Sequence, residues 1–97
     1  MFSAFLLKKS DRSIIDAVSS DDKVGRQTII TKDGAQYGFD TDSLLLIIEG
    51  SEDALRIASG IIGGKGKELD REKTEKIMKE IKEEEDRADQ GMGFLFG

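Results

Sequence analysis

Leu44-Leu45-Leu46-Ile47-Ile48 is the longest apolar run in the chain, and the fold is read outward from it. Turn-forming residues precede it (Asp40-Thr41-Asp42-Ser43) and Glu49-Gly50 follows it. Five apolar residues between such stops suit a buried central strand rather than a helix. The run also falls far short of the roughly 18 residues that a membrane-crossing helix needs. Upstream, Gln27-Thr28-Ile29-Ile30-Thr31 is rich in β-branched residues and reads as another strand. Between them, Asp33-Gly34 predicts a type I′ turn, because both central residues of that turn need positive φ. Ala35, Tyr37 and Phe39 would then lie on one face of the returning strand at period two.

Downstream, Ser51 is a helix N-cap, and Glu52 and Asp53 complement the positive end of the helix dipole. Ala54, Leu55, Ala58, Ile61 and Ile62 form a wide stripe that packs on a sheet. Gly63-Gly64 ends that helix, and Lys65-Gly66-Lys67 reads as a flexible basic loop. Asp70 caps a third helix expected to run to about Ala88. Its stripe is thin, built from Ile77, Met78 and Ile81 with Leu69, and i,i+4 charge pairs lace the rest. At the other end, residues 2–7 read as a strand buried on both faces. Ser10 and Asp11 open a short helix with Ile14, Ile15 and Val18 inward, ending near Asp21-Asp22. The closing Gly91-Met92-Gly93-Phe94-Leu95-Phe96 reads as a last strand with Phe94 and Phe96 on one face.

These elements predict one α+β domain over residues 1–97. It has a mostly antiparallel sheet of about four to five strands with two to three helices packed on one face. Merging the middle strands gives a β-α-β-β-α order related to the ferredoxin-like, split βαβ arrangement.

Composition narrows the chemistry. The 97 residues are 37% apolar and 36% charged, with a net charge of −5. That suits a folded domain. The negative balance argues against nucleic acid as a partner, since phosphates would be repelled. There is no cysteine, so disulfides, thiolate metal sites and cysteine nucleophiles are excluded. There is no histidine, which removes the commonest general base and metal ligand. Proline, tryptophan and asparagine are also absent. Few thermolabile residues beside many Lys and Glu is a pattern of hyperthermophile proteins. The N-terminal residues carry no basic segment before their apolar stretch, which stops at Lys8-Lys9. That is unlike a signal peptide, so a cytoplasmic location and no membrane partner are expected.

Two resemblances follow from these residues. Phe5-Leu6-Leu7-Lys8-Lys9 followed by a helix, and the glycine-led ending at residues 91–96, resemble the first and last strands of PII-type regulators. The resemblance covers about half the chain, is interrupted by the charged third helix, and implies a regulatory ferredoxin-like module. Size, charge and the absence of Cys and His are similar to small proteins of thermophilic methanogens. Some of those bind calcium through acidic loops.

Metal ligation is the first chemistry to weigh. Asp21-Asp22, Asp40-x-Asp42 and Glu49 with Glu52-Asp53 each place carboxylates close together in a turn, and Ca²⁺ takes six to eight oxygen ligands. An EF-hand reading fails, because a loop begun at Asp40 has Leu45 where glycine is needed and Ser51 where glutamate is needed. The 40–42 and 49–53 groups flank opposite ends of the central strand and cannot share an ion, while Asp21-Asp22 could join either. Plain turn and capping chemistry accounts for the same residues.

Other motifs are weaker. Gly66-Lys67 has Ile61 in place of the first P-loop glycine and Glu68 after the lysine, and the loop follows a helix instead of preceding one. Its glycines still let an anion approach the backbone. Asp40-x-Asp42 after a strand lacks the lysine partner and larger fold of aspartate phosphotransferases. Ser20-Asp21-Asp22-Lys23 lacks the buried helix start of a Ser-x-x-Lys nucleophile. Tyr37, the lone tyrosine, reads as core.

The expectation is therefore a non-enzymatic binding or interaction domain, with a Ca²⁺ site in the acidic loops as the one cofactor in view. Alternatives are a module that self-associates or binds a small anionic ligand, and an enzyme built on carboxylates and lysine alone. A protein partner or a second copy would dock on the C-terminal strand or the third helix.

Overall fold

The computed structural model describes the backbone of residues 1–96 and the side chains of residues 1–85. Four strands form one antiparallel sheet: β1 (Phe2–Lys8), β2 (Thr28–Asp33), β3 (Ser43–Glu49) and β4 (Gly66–Glu68), in the order β2-β3-β1-β4. In β3, Leu44 to Ile48 sit between β1 and β2, with Ala4 opposite Ile47 on one side and Ile30 opposite Ile47 on the other. Helices α1 (Ser13–Ser20) and α2 (Glu52–Ile62) connect β1 to β2 and β3 to β4. The order up to β4 is β-α-β-β-α-β: its first five elements follow the expected order, and β4 stands where the sequence predicts a loop. Helix α3 (Arg71–Phe96) follows.

The uninterrupted apolar run of β3 is explained by what covers it. Alternate side chains of a strand point to opposite faces. Leu44, Leu46 and Ile48 enter a core closed by α1 and α2, with Phe5, Leu7, Val18, Leu55, Ala58 and Ile62. Leu45 and Ile47 enter a second core with Ala4 and with Leu69, Ile77, Met78 and Ile81 of α3 and its lead-in. The sheet is thus the middle of three layers. Leu45, Leu46, Ile47 and Ile48 are wholly buried, and each such side chain contributes about 1.5–3 kcal/mol of transfer free energy. Two helices share one face, as expected, and the third covers the other. The thin stripe predicted for α3 is the set of side chains that pack there.

Capping follows the sequence at two helices and departs from it at one. The Ser51 hydroxyl accepts from the Ala54 amide at 3.2 Å, and the Asp70 carboxylate accepts from the Lys73 amide at 2.8 Å. Gly63 ends α2 at φ 57°. Ser10, however, lies inside a 3₁₀ turn (Lys9–Asp11), and α1 starts after Arg12 with no side-chain cap.

Three expectations are corrected. Asp33-Gly34 does not form a type I′ turn. Asp33 stays extended and its carboxylate accepts from the Ala35 amide at 3.1 Å, capping a 3₁₀ turn over Gly34–Tyr37. Gly34 has no positive φ. It is required because a Cβ there would lie 1.9 Å from the Ser43 hydroxyl. Residues 35–40 therefore form no strand, and β2 pairs directly with β3 across a longer connection. Tyr37 and Phe39 still reach the second core, partly buried.

The basic loop at 65–67 is the second correction. Gly66–Glu68 is β4, paired with β1 through Leu7–Gly66, Leu6–Lys67 and Phe5–Glu68. The third is the C-terminal strand: residues 91–96 continue α3. The edge of β1 that a last strand would use is already taken by β4, so α3 keeps its own i→i−4 hydrogen bonds to the end. How the Phe94 and Phe96 side chains pack lies outside the described residues.

Candidate functional site

The predicted acids sort into two ends of the sheet. At one end, the Asp21 carboxylate accepts from the Lys23 and Val24 amides at 2.9 and 3.0 Å, a self-contained turn after α1. Asp22 is exposed beside it. The Lys23 ammonium lies 3.4 Å from Asp53, and Glu52 lies 3.6 Å from Arg56. Glu49 ends β3 opposite both Phe2 and Thr28. The 21–22 turn thus joins the 49–53 group, but through a lysine set against Asp53. At the other end are Asp40 and Asp42. Among the described residues, no three acidic side chains converge where an ion could be held. Asp21 and Asp40 accept within their own turns, and Glu52 and Asp53 pair with Arg56 and Lys23.

The other end of the sheet carries a different arrangement. A cleft of about 600 Å³ opens where β1 leaves the sheet beside β4. Lys8, Lys9, Lys65 and Lys67 line it together with Asp40 and Asp42. Leu6 and Leu7 contribute an apolar part of the wall. With Lys9 paired to Asp33, Lys8, Lys65 and Lys67 against Asp40 and Asp42 leave a small positive excess here on a chain whose net charge is −5.

Each lysine arrives by a different local rule. Lys8 is the last residue of β1, opposite Ser43. Lys9 starts the 3₁₀ turn that follows, and its amide donates to the Asp42 carbonyl at 2.8 Å, tying the acidic turn to the end of β1. Lys65 ends the 3₁₀ turn after α2, and Lys67 lies in β4 opposite Leu6. Gly66 makes their approach possible. A Cβ there would meet the Ile62 Cγ2 at 2.4 Å and the Leu7 Cδ2 at 2.8 Å, both in the first core. Only glycine lets β4 lie flat against β1 beneath the end of α2.

The charges in the cleft are mostly unspent. Lys9 pairs with Asp33 at 3.5 Å, a half-exposed contact worth at most about 1 kcal/mol. Among the described residues, Lys8, Lys65 and Lys67 have no ion-pair partner. The Asp40 carboxylate accepts from its own turn, from the Asp42 amide at 3.3 Å and the Thr41 hydroxyl at 3.4 Å. The Asp42 carboxylate has no partner among the described residues. Three free ammoniums and one free carboxylate bordering one concave surface form an arrangement able to hold a charged small molecule.

A second polar cluster is structural. The Tyr37 hydroxyl donates to Glu84 at 3.1 Å, and Lys32 lies 3.9 Å from the same carboxylate. Burial and the Glu84 hydrogen bond push the Tyr37 phenol up to about 12. This cluster fixes the middle of α3 to the β2 side of the sheet.

From sequence, Lys8-Lys9 reads as the stop of an apolar stretch and Lys65-Gly66-Lys67 as a loop, and no local pattern joins them. The two lysine pairs meet because Gly66–Glu68 pairs with β1, and the local pattern of residues 65–68 carries no strand signal that marks this pairing.

No family model, curated protein or solved structure matches the chain. No helix among the described residues is long and apolar enough to cross a membrane.

Proposed function

We propose that this chain is a binding domain that takes a small anionic ligand in the cleft between the end of β1 and β4. One observation carries the reading. Lysines from two segments far apart in sequence, 8–9 and 65–67, border a single concavity on an otherwise acidic chain, and three of them have no internal partner among the described residues. A volume of about 600 Å³ lies within the range of small-molecule sites, and such sites combine an apolar wall with a few convergent polar groups. An anion here gains from several ammonium groups at once without displacing an existing ion pair.

The apolar stripe of α3 is less suited to the partner-docking role considered from sequence. Ile77, Met78 and Ile81 are buried against the sheet, so a protein docking on that part of α3 would meet its charged face.

The test is an amide-shift titration of labelled protein with inorganic phosphate and pyrophosphate at constant ionic strength. Saturable shifts confined to residues 7–10, 40–43 and 64–67, lost in Lys65→Ala/Lys67→Ala, support the reading. Uniform shifts that sodium chloride reproduces overturn it.

A further inference from the structure

The cleft is not uniformly positive, and that constrains its ligand further. Asp42 borders the same concavity as Lys8, Lys65 and Lys67, and its carboxylate has no hydrogen bond or ion pair among the described residues. Asp40 stands beside it with one carboxylate oxygen turned to its own loop. A simple polyanion entering this space gains from the lysines but is repelled by Asp42. Like-charge juxtaposition at a binding surface is a device of discrimination.

Resting on the anion-site reading above, we infer that the cleft selects a zwitterionic small molecule. Its phosphate or carboxylate end meets Lys8, Lys65 and Lys67, and its protonated amine meets Asp42, with Asp40 beside it. An ammonium carries three donors, enough for Asp42 and for a second acceptor in the acidic turn. The acidic turn is held in place for this role by the Lys9 amide on the Asp42 carbonyl and by the Ser43 amide on the Asp40 carbonyl at 3.1 Å. The carboxylate is thus positioned by backbone, which leaves its oxygens for the ligand.

The inference separates cleanly from the reading it rests on. Two probes share one phosphate head: O-phosphoethanolamine carries an ammonium group, and ethyl phosphate lacks it. Both are titrated against labelled wild-type protein in EDTA, at matched ionic strength and pH 7. The expected result is that phosphoethanolamine binds about fivefold or more tightly, the size of one partly solvated charge pair. Asp42→Asn should remove that preference while leaving or slightly improving the affinity for ethyl phosphate. Lys67→Ala should weaken both probes alike. Asp42→Asn alters an exposed side chain with no internal partner among the described residues, so its fold should survive, and its amide spectrum checks this. Equal binding of the two probes, tighter binding of ethyl phosphate, or a preference that persists in both Asp42→Asn and Asp40→Asn overturns the zwitterion inference and leaves the anion site standing. Binding of neither probe removes both.

Discussion

Replacing Ile81 by alanine tests whether α3 is a layer of the fold or an appended solvated helix. Ile81 is 2% exposed and packs in the second core with Leu45 and Ile47. The substitution removes three buried carbons, about 2.4 kcal/mol of transfer free energy at ~0.8 kcal/mol each. The cavity left under a rigid sheet adds to this, so a loss of roughly 3 kcal/mol is expected within the usual 2–5. For a chain of this size the unfolding entropy is about 0.2 kcal/mol/K, so the midpoint should fall by roughly 15 °C. Urea unfolding followed by circular dichroism should show a lower midpoint at unchanged slope, the sign of altered stability rather than altered compactness. Lys79→Ala, on the exposed side of the same helix, should change stability by less than about 0.5 kcal/mol and controls for helix propensity. A shift below about 3 °C for Ile81→Ala would show that α3 does not close the second face. The three-layer account of the β3 run would then fail.

Two further perturbations probe other parts of the same frame. The Tyr37 phenol, raised to about 12 by burial and by its bond to Glu84, should ionise about two units late in an ultraviolet absorbance titration, and Glu84→Gln should move the midpoint back toward 10. The native state holds this proton more tightly than the unfolded chain. The contribution is therefore complete below pH 10, and stability should decline as pH rises from 10 through about 12; an unshifted phenol would refute the Tyr37–Glu84 contact. Gly66→Ala should cost roughly 1–3 kcal/mol by overpacking against Ile62 and Leu7. It should also weaken phosphate binding through displacement of Lys65 and Lys67, and an unchanged melting temperature would show that β4 has room to move.

What could be read from the sequence was whatever local pattern and composition dictate. The Leu44–Ile48 run, the Ser51 and Asp70 caps, the α2 stripe and the inward set Leu69, Ile77, Met78 and Ile81 are all where the residues said they would be. The candidate site was legible only as fragments, two lysine pairs and an Asp-x-Asp turn far apart in the chain. The misread pieces have one thing in common. Asp33-Gly34, Lys65-Gly66-Lys67 and the glycine-rich C-terminus all contain glycine, whose backbone permits several conformations at similar cost.

Tertiary contacts made the choice at each of them. The Ser43 hydroxyl sits where a side chain at 34 would be, so the chain enters a 3₁₀ turn in place of a tight hairpin. Leu7 and Ile62 leave room at 66 for a glycine alone, so a segment with no strand propensity of its own becomes the edge strand. With that edge filled, the terminal residues remain helical. Hydrophobic periodicity acts over a few residues and is written in the sequence. Which strand stands beside β1, and so which lysines line the cleft together with Asp42, depends on pairings across about sixty residues that no local pattern encodes.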